Sequence, residues 1–360
     1  MNIQHHNKQL SITKAIGIIL VVIGHSGCPE LLNRYIYLFH MPLFYMAFGY
    51  FYKESYIEHK KEFIQKRFKG LYIPFVKWGL IFIILHNLLG RIHLINVNGG
   101  GYETYYNLLM YLKAIRAVIT LAMPECLMGP LWFLESLFVS SILLLLLDYI
   151  VSLVASGKKR RVLVFTITLI LFIIAFITTD VLEIIFPRRL NRDLGCLNFI
   201  YIGYLFSRIQ SRLSYKPLIT ALCTFLLFIT AYIWGTISIT DFSIRNPLIT
   251  GICAIMGWFS SMGTAKLIEQ HCGSLSDFFD YVGKHTITIL IFHIPTFKLI
   301  TLITIFVYNF PISKLASFPV ITPTGLWWIV YSIVGVSIPL VTVWGIKYLK
   351  KGKALYTTKQ

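Results

Sequence analysis

Acidic residues are scarce in this chain of 360 residues, which has 15 Asp and Glu side chains against 33 Lys and Arg. Charged residues of both signs make up only 13% of the sequence, whereas 56% of it is hydrophobic. A water-soluble protein of this size needs a more polar surface, so the composition excludes an ordinary soluble enzyme. The apolar runs are long and continuous, which argues against a membrane β-barrel and predicts an all-α, polytopic membrane protein.

Cysteine motifs and familiar catalytic signatures are also missing. The six cysteines form no CxxC pair and no spacing typical of a metal site. No HExxH, phosphate-binding loop, GxSxG or EF-hand pattern occurs, so we expect neither a bound metal nor a resident cofactor. No signal-peptide cleavage site follows the first apolar run, and we expect that run to remain in the mature protein.

The apolar runs predict about ten transmembrane helices. A further run at 105–122 lies close to Glu103 and contains Lys113 and Arg116, too much charge for a span that faces lipid. We therefore interpret 91–130 as one outer segment with an amphipathic or partly re-entrant helix. The predicted spans are roughly 10–27, 35–52, 71–90, 131–154, 162–179, 194–209, 218–236, 247–267, 285–307 and 326–347.

The basic residues predict the orientation of these spans. With cytoplasmic termini, about 21 of the 33 basic residues fall in inner loops and about nine in outer loops, as the positive-inside rule requires. Because this charge lies in short loops and not in a separate basic domain, we do not expect nucleic-acid binding. We predict a single membrane domain over 1–360, with a core at about 8–350 and short cytoplasmic tails.

The first span carries a cation and an imidazole on one stripe. Lys14 and His25 are eleven residues apart, which places them about 20° apart around a helix and roughly 16 Å apart along its axis. Ionisable groups at membrane depth are costly and by default mark a functional path. The alternative is that Lys14 reaches the inner headgroups and His25 only ends the helix before Gly27 and Pro29.

Polar residues also interrupt later spans. His40 lies two residues before Pro42, which should weaken the second span and leave a carbonyl group free at membrane depth. His40 either bonds a neighbouring helix or faces the same cavity as His25. Glu135 lies in an apolar helix and needs an ion-pair partner or a polar ligand. His293 is the deeper histidine of the late GKHTITILIFH run.

A basic amphipathic segment at 53–69 precedes the third span, and we expect it to lie along the inner membrane surface. Attraction to anionic lipid explains most of its lysines. Arg67 and Lys69, immediately before the span, could instead hold a phosphorylated cytoplasmic ligand, because guanidinium and ammonium groups bind phosphate well.

These motifs together resemble the acyltransferase 3 family of integral-membrane acyltransferases, and within it the fucose 4-O-acetylase-like group that O-acetylates surface sugars. The resemblance covers about residues 8–350. It rests on the spacing of Lys14 and His25, on VVIGHS, FHMPLF and PLWFL, and on the late GKHTITILIFH run. The chain departs from the Arg-x-x-Arg pair common in the family, since Gly70 stands three residues after Arg67, and it has His285 after the late GK.

The resemblance implies a multi-pass protein of the bacterial inner membrane that transfers acetyl from acetyl-CoA to a hydroxyl group of a surface or exported polysaccharide. Its partners would be acetyl-CoA, the carbohydrate acceptor and the bilayer, and its oligomeric state is left open. Alternatives are transfer of a different acyl group, or a transporter or flippase of a lipid-linked sugar, for which no internal repeat is visible. The candidate residues are His25 and Lys14 for catalysis and Arg67, Lys69, Glu135, His40 and His293 for substrate and donor binding.

Overall fold

A computed structural model describes residues 7–357 of the protein. It is 78% helical with one small β-hairpin, which confirms the all-α prediction. The helices are α1 (Lys8–His25), α2 (Glu30–Tyr37), α3 (His40–Gly49), α4 (Lys60–Arg67), α5 (Ile73–Arg91), α6 (Leu108–Ile119), α7 (Trp132–Ser152), α8 (Gly157–Phe176), α9 (Leu190–Arg208), α10 (Pro217–Trp234), α11 (Pro247–His271), α12 (Gly273–Lys284), α13 (Thr286–Tyr308) and α14 (Trp327–Thr357). The hairpin strands are β1 (Asn98–Gly100) and β2 (Glu103–Thr104).

Eight helical segments within residues 7–357 are long and apolar enough to cross a membrane. The predicted total of about ten adds α9 and the pair α2–α3, and it remains a prediction. Helix α9 has 19 residues, but Asn191, Arg192 and Asp193 make its first turn polar. The end residues 1–6 and 358–360 lie outside the described residues, so the cytoplasmic position of the termini also remains a prediction.

The second predicted span is broken before His40. Helix α2 ends at Tyr37, and Phe39 has φ −147° and ψ −16°, outside the helical region. Pro42 is the third residue of α3, where a backbone N–H would lack an intrahelical acceptor anyway. The break lets Nδ1 of His40 donate to the carbonyl of Ile36 at 2.8 Å, so its partner is the preceding helix segment.

Helix α1 lies at the centre of the bundle and packs against α3, α11, α12, α13 and α14. Its residues Leu10, Ile12 and Val22 are fully buried. A glycine permits a close crossing of α12 with α1, since a Cβ atom at Gly283 would lie 1.9 Å from the carbonyl oxygen of Ser11. The chain segments around α1 are therefore held with little space to adjust.

The basic segment before the third span is not a separate surface helix. Helix α4 continues through a π-helical turn, Phe68–Tyr72, into α5, so that Lys60–Arg91 forms one helical segment of 32 residues.

In the outer segment at 91–130, α6 has only 12 residues, fewer than the roughly 20 that a span requires. Six cysteines are unpaired.

Lys298 lies in the middle of α13 and is buried. Its ammonium group donates to the carbonyls of Leu315 at 3.0 Å and Ser317 at 2.6 Å, in the loop that follows α13. The loop therefore folds back over the helix, and the lysine is satisfied by backbone acceptors.

Candidate active site

A cavity of about 280 Å³ lies in the bundle between α1, α3, α7, α13 and the junction of α4 with α5. Three cations, Lys14, Lys66 and Arg67, contribute to a lining that is otherwise almost entirely apolar. The apolar residues are Ile18, Val21, Met41, Phe44, Ala47, Phe48, Phe51, Leu71, Phe133, Leu134, Leu137, Ile287 and Leu290. A passage of this kind suits a chain-like apolar group attached to an anionic head.

The cations enter the cavity near the beginnings of α1 and α5. The guanidinium of Arg67 lies 4.0 Å from the ring centroid of Phe48 and 4.5 Å from that of Phe63. Its Nε is buried and has no hydrogen-bond acceptor in the part of the chain that the structure describes. Burying an unsatisfied charged donor is costly, which favours an anionic ligand beside it.

The two neighbouring lysines differ in position. Lys66 lines the cavity and pairs with Glu62 at 2.6 Å one helical turn back. Lys69 is exposed and is absent from the cavity lining, so Arg67 and Lys69 do not come together at the cavity. Lys14 lies within electrostatic reach of Asp280 in α12, which itself pairs with Lys284.

Two imidazoles lie beyond the opposite end of the cavity. Val21 and Leu290 line that end, His25 follows Val21 by four residues, and His293 follows Leu290 by three. Each histidine therefore occupies the next helical turn on the same face as the lining residue. The rings of His25 and His293 face each other with centroids 5.4 Å apart and an interplanar angle of 37°.

Hydrogen bonds fix which nitrogen of His293 carries a proton. Nδ1 lies 3.0 Å from the carbonyl of Ile289 and must donate to it, so Nε2 keeps its lone pair. That Nε2 is buried and has no partner among the described residues. Nδ1 of His40 likewise donates to the carbonyl of Ile36, so its Nε2 also keeps a lone pair. His40 lies close enough to His25 to interact electrostatically with it. The structure thus brings together three of the predicted histidines.

Glu135 faces away from this group, in a polar network inside the bundle. Arg192 donates to the carboxylate of Glu135 at 2.5 Å and to that of Asp193 at 2.8 Å. Ser136 links Asp193 to the hydroxyl of Tyr45, with both hydrogen bonds at 2.6 Å. The sequence did not identify Arg192, although an Arg-Asp pair at the start of a span was a visible signal.

Across residues 7–357, no three His, Cys, Asp or Glu side chains come together as a metal site would require. The site offers imidazole nitrogens, which can accept a proton or form a covalent bond to an acyl carbon. Three cations at one end of an apolar cavity, with facing imidazoles one helical turn beyond its other end, form an arrangement that suits acyl transfer inside a membrane-spanning bundle.

Comparison with known protein families agrees with this class. Over residues 7–344 the chain matches the model of the acyltransferase 3 family, described as an acyltransferase domain. The chain belongs to this family, and it is a membrane acyltransferase. No curated protein and no solved structure matched it. The predicted family is confirmed, whereas the fucose 4-O-acetylase-like group remains part of the proposal below.

Proposed function

We propose that the protein is an O-acyltransferase of the bacterial inner membrane, which moves an acetyl group from acetyl-CoA at the inner face to a carbohydrate hydroxyl at the outer face. The observation that carries the proposal is the cavity itself. It has three cations at one end, an apolar interior, and His25 and His293 one helical turn beyond the other end.

The dimensions of the cavity suit a coenzyme A thioester. Its phosphates are too highly charged to enter the bilayer core, but its acyl-pantetheine arm is thin and uncharged. That arm spans roughly 15–20 Å when extended, close to the rise of roughly 16 Å from Lys14 to His25. Lys14 and Arg67 would hold the phosphates, with Lys66 beside them, while the thioester reaches the histidines.

At the histidines, acyl transfer can follow either of two routes. In the first, His25 takes the proton of the sugar hydroxyl while the hydroxyl oxygen attacks the thioester carbon. The carbon–sulfur bond breaks, and the proton passes to the departing thiolate, so that the products are an ester and free CoA. In the second, a nitrogen of His25 attacks the thioester carbon, the carbon–sulfur bond breaks, and CoA leaves as the thiol with the imidazole proton. The sugar hydroxyl then attacks the acyl-imidazole, the carbon–nitrogen bond breaks, and the hydroxyl proton returns to the imidazole. The ring of His293, whose Nε2 keeps a lone pair, lies beside the ring of His25 in both routes.

Substitution of His25 tests the proposal most directly. The His25→Ala variant, purified in lipid nanodiscs, should lose about 10²–10⁴-fold in acetyl transfer, the usual contribution of a positioned base. Release of CoA from acetyl-CoA in the presence of envelope carbohydrate is the measurement. His271→Ala is a matched control, because His271 is an exposed helical histidine at the end of α11.

The same assay distinguishes an acyltransferase from the alternative function, a transporter or flippase. A transporter or flippase of a lipid-linked sugar would release no CoA from the thioester, with or without carbohydrate. Near-normal CoA release by His25→Ala would refute the assignment of His25. Greater sensitivity at His40 or His293 would move the central role to that residue.

A further inference from the structure

A second cavity, of about 450 Å³, lies at the end of the bundle where α5 ends and α9 begins. We call it the vestibule. It is formed by segments far apart in the sequence, and its lining is richer in polar groups than that of the first cavity. The lining residues that matter here are His86, Asn96, Tyr102, Glu103, Glu125, Trp132, Arg189, Arg192, Thr240 and Phe318.

The vestibule and His25 lie at the same end of the bundle. The loop between α13 and α14 connects them, because the hydroxyl of Thr324 donates to the carbonyl of Gly27 at 2.6 Å while Phe318 lines the vestibule. Trp132 and Phe133 are consecutive residues of α7, and they line the vestibule and the first cavity respectively. The two rings pack edge to face with their centroids 6.1 Å apart, so the two spaces approach each other at this point of α7.

A buried pair of His86 and Glu125 builds one wall of the vestibule. Nδ1 of His86 contacts the carboxylate of Glu125, and Nε2 lies 2.9 Å from the carbonyl of Thr104. Both partners are acceptors, so the ring donates from both nitrogens and forms an imidazolium against a carboxylate. The ring also stacks on Tyr106 at 3.6 Å. The contacts of this pair connect α5, β2 and the segment before α7, and they hold these three segments in position.

The three cationic groups of the vestibule lining are paired within the protein. His86 pairs with Glu125, Arg189 with Asp241, and Arg192 with Glu135 and Asp193. Glu103 accepts a hydrogen bond from the amide of Asn96 at 2.9 Å. Because its guanidinium and imidazolium groups already have carboxylate partners, the vestibule favours a neutral ligand over an anionic one.

The accessible polar residues of the lining, Asn96, Glu103 and Arg189, still offer hydrogen bonds to a neutral ligand, since amides, carboxylates and guanidinium groups have several donors or acceptors each. Two aromatic rings complement them: Tyr102 is 41% exposed and Phe318 is 45% exposed at the vestibule. Convergent polar groups beside accessible aromatic faces are suited to a polyhydroxylated ring, which has both hydroxyl groups and apolar C–H faces.

We infer that the vestibule is the acceptor site of the enzyme and that it binds a neutral sugar residue, whose hydroxyl then reaches His25 past Trp132. This inference rests on the proposed function, and it adds the place and the charge class of the acceptor.

A plug in the vestibule tests the inference without knowledge of the sugar. Tyr102→Cys and Phe318→Cys are expressed in intact cells and treated with a bulky, membrane-impermeant maleimide. Labelling should reduce acetylation of the cells' own envelope carbohydrate about tenfold or more, because the plug fills the acceptor space. The affinity of the purified labelled protein for acetyl-CoA should stay within about twofold, since the donor cavity is separate.

Controls separate this inference from the proposed function. Ile185→Cys provides an exposed site between α8 and α9 that is absent from the vestibule lining, and the labelled unsubstituted chain reports on the native cysteines. Undiminished acetylation after complete labelling, or failure of Tyr102→Cys to label in intact cells, overturns the inference while CoA release preserves the proposed function. Absence of CoA release from the unsubstituted enzyme overturns both the inference and the proposed function.

Mass spectrometry of the envelope carbohydrate tests the charge class of the acceptor. It should find acetyl on a neutral sugar, and acetyl on a uronic acid or a phosphorylated sugar contradicts the inference.

Discussion

Removal of the charge of Arg67 should weaken acetyl-CoA binding selectively. The Arg67→Met variant keeps a long, flexible apolar side chain between Phe48 and Phe63 but has no guanidinium. A hydrogen bond to a charged group contributes about 1.5–3 kcal/mol. Losing one such bond to a phosphate therefore corresponds to a loss of about 10- to 150-fold in affinity.

Initial rates measured over a range of acetyl-CoA concentrations, in nanodiscs and at saturating acceptor, provide the assay. The KM for acetyl-CoA should rise by about 10- to 150-fold, while kcat and the KM for the acceptor stay within about twofold. Added salt should raise the KM of the unsubstituted enzyme, because part of the attraction is exposed to solvent. Lys61→Met is the matched control, since Lys61 is an exposed cation of the same helix, α4.

An unchanged acetyl-CoA dependence in Arg67→Met would refute this reasoning and place the donor elsewhere. Variants of the two neighbouring lysines test which cations bind the donor. Lys66→Met should raise the KM for acetyl-CoA more than Lys69→Met, because Lys66 lines the cavity and Lys69 does not. The opposite order would favour the pair Arg67 and Lys69 that the sequence alone suggested.

Three further predictions concern topology and stability. A cysteine introduced at 158–161 should be shielded from impermeant thiol reagents in intact cells, and one at Arg188 should label; the reverse pattern would invert the orientation. Gly203→Leu should lower the Tm strongly, because its Cβ atom would lie 2.0 Å from the carbonyl oxygen of Met46, whereas Gly251→Leu, with no atom within 4 Å, should be tolerated. Arg192→Met should destabilise the protein by about 3–5 kcal/mol by leaving buried carboxylates unpaired, and a Tm equal to that of the unsubstituted protein would contradict this.

Composition and helical period were sufficient to predict the fold class and one side of the site. The spacing of Lys14 and His25 placed both on one stripe, and α1 is a helix over Lys8–His25. Lys14, Ile18 and Val21 of this stripe all line the cavity. This part was predictable because it depends on a single helix, whose geometry is set by 100° per residue.

The remaining parts of the site depend on packing between distant segments. His293 meets His25 only because α13 packs against α1, and no local pattern encodes that contact. The choice between Lys66 and Lys69 depends on the π-helical turn at Phe68–Tyr72, which changes the angular spacing of the residues that follow Arg67. The partnership of His86 with Glu125 joins a helix end to a loop 39 residues further on, a distance at which periodicity carries no information.

The distribution of charge is compatible with the proposed transfer of acetyl from one face of the bilayer to the other. Under the proposed function, the phosphates of CoA stay beside Lys14 and Arg67, and only the uncharged thioester arm enters the apolar passage lined by Ile18, Val21 and Leu290. The sugar approaches from the opposite end, where the cationic groups are already paired with carboxylates. The acetyl group is neutral before and after transfer, so no ion has to cross the core, a step that would be costly at membrane depth. Under this proposal, the thioester and the sugar hydroxyl approach His25 from opposite ends of the bundle, and only the neutral acetyl group passes from one to the other.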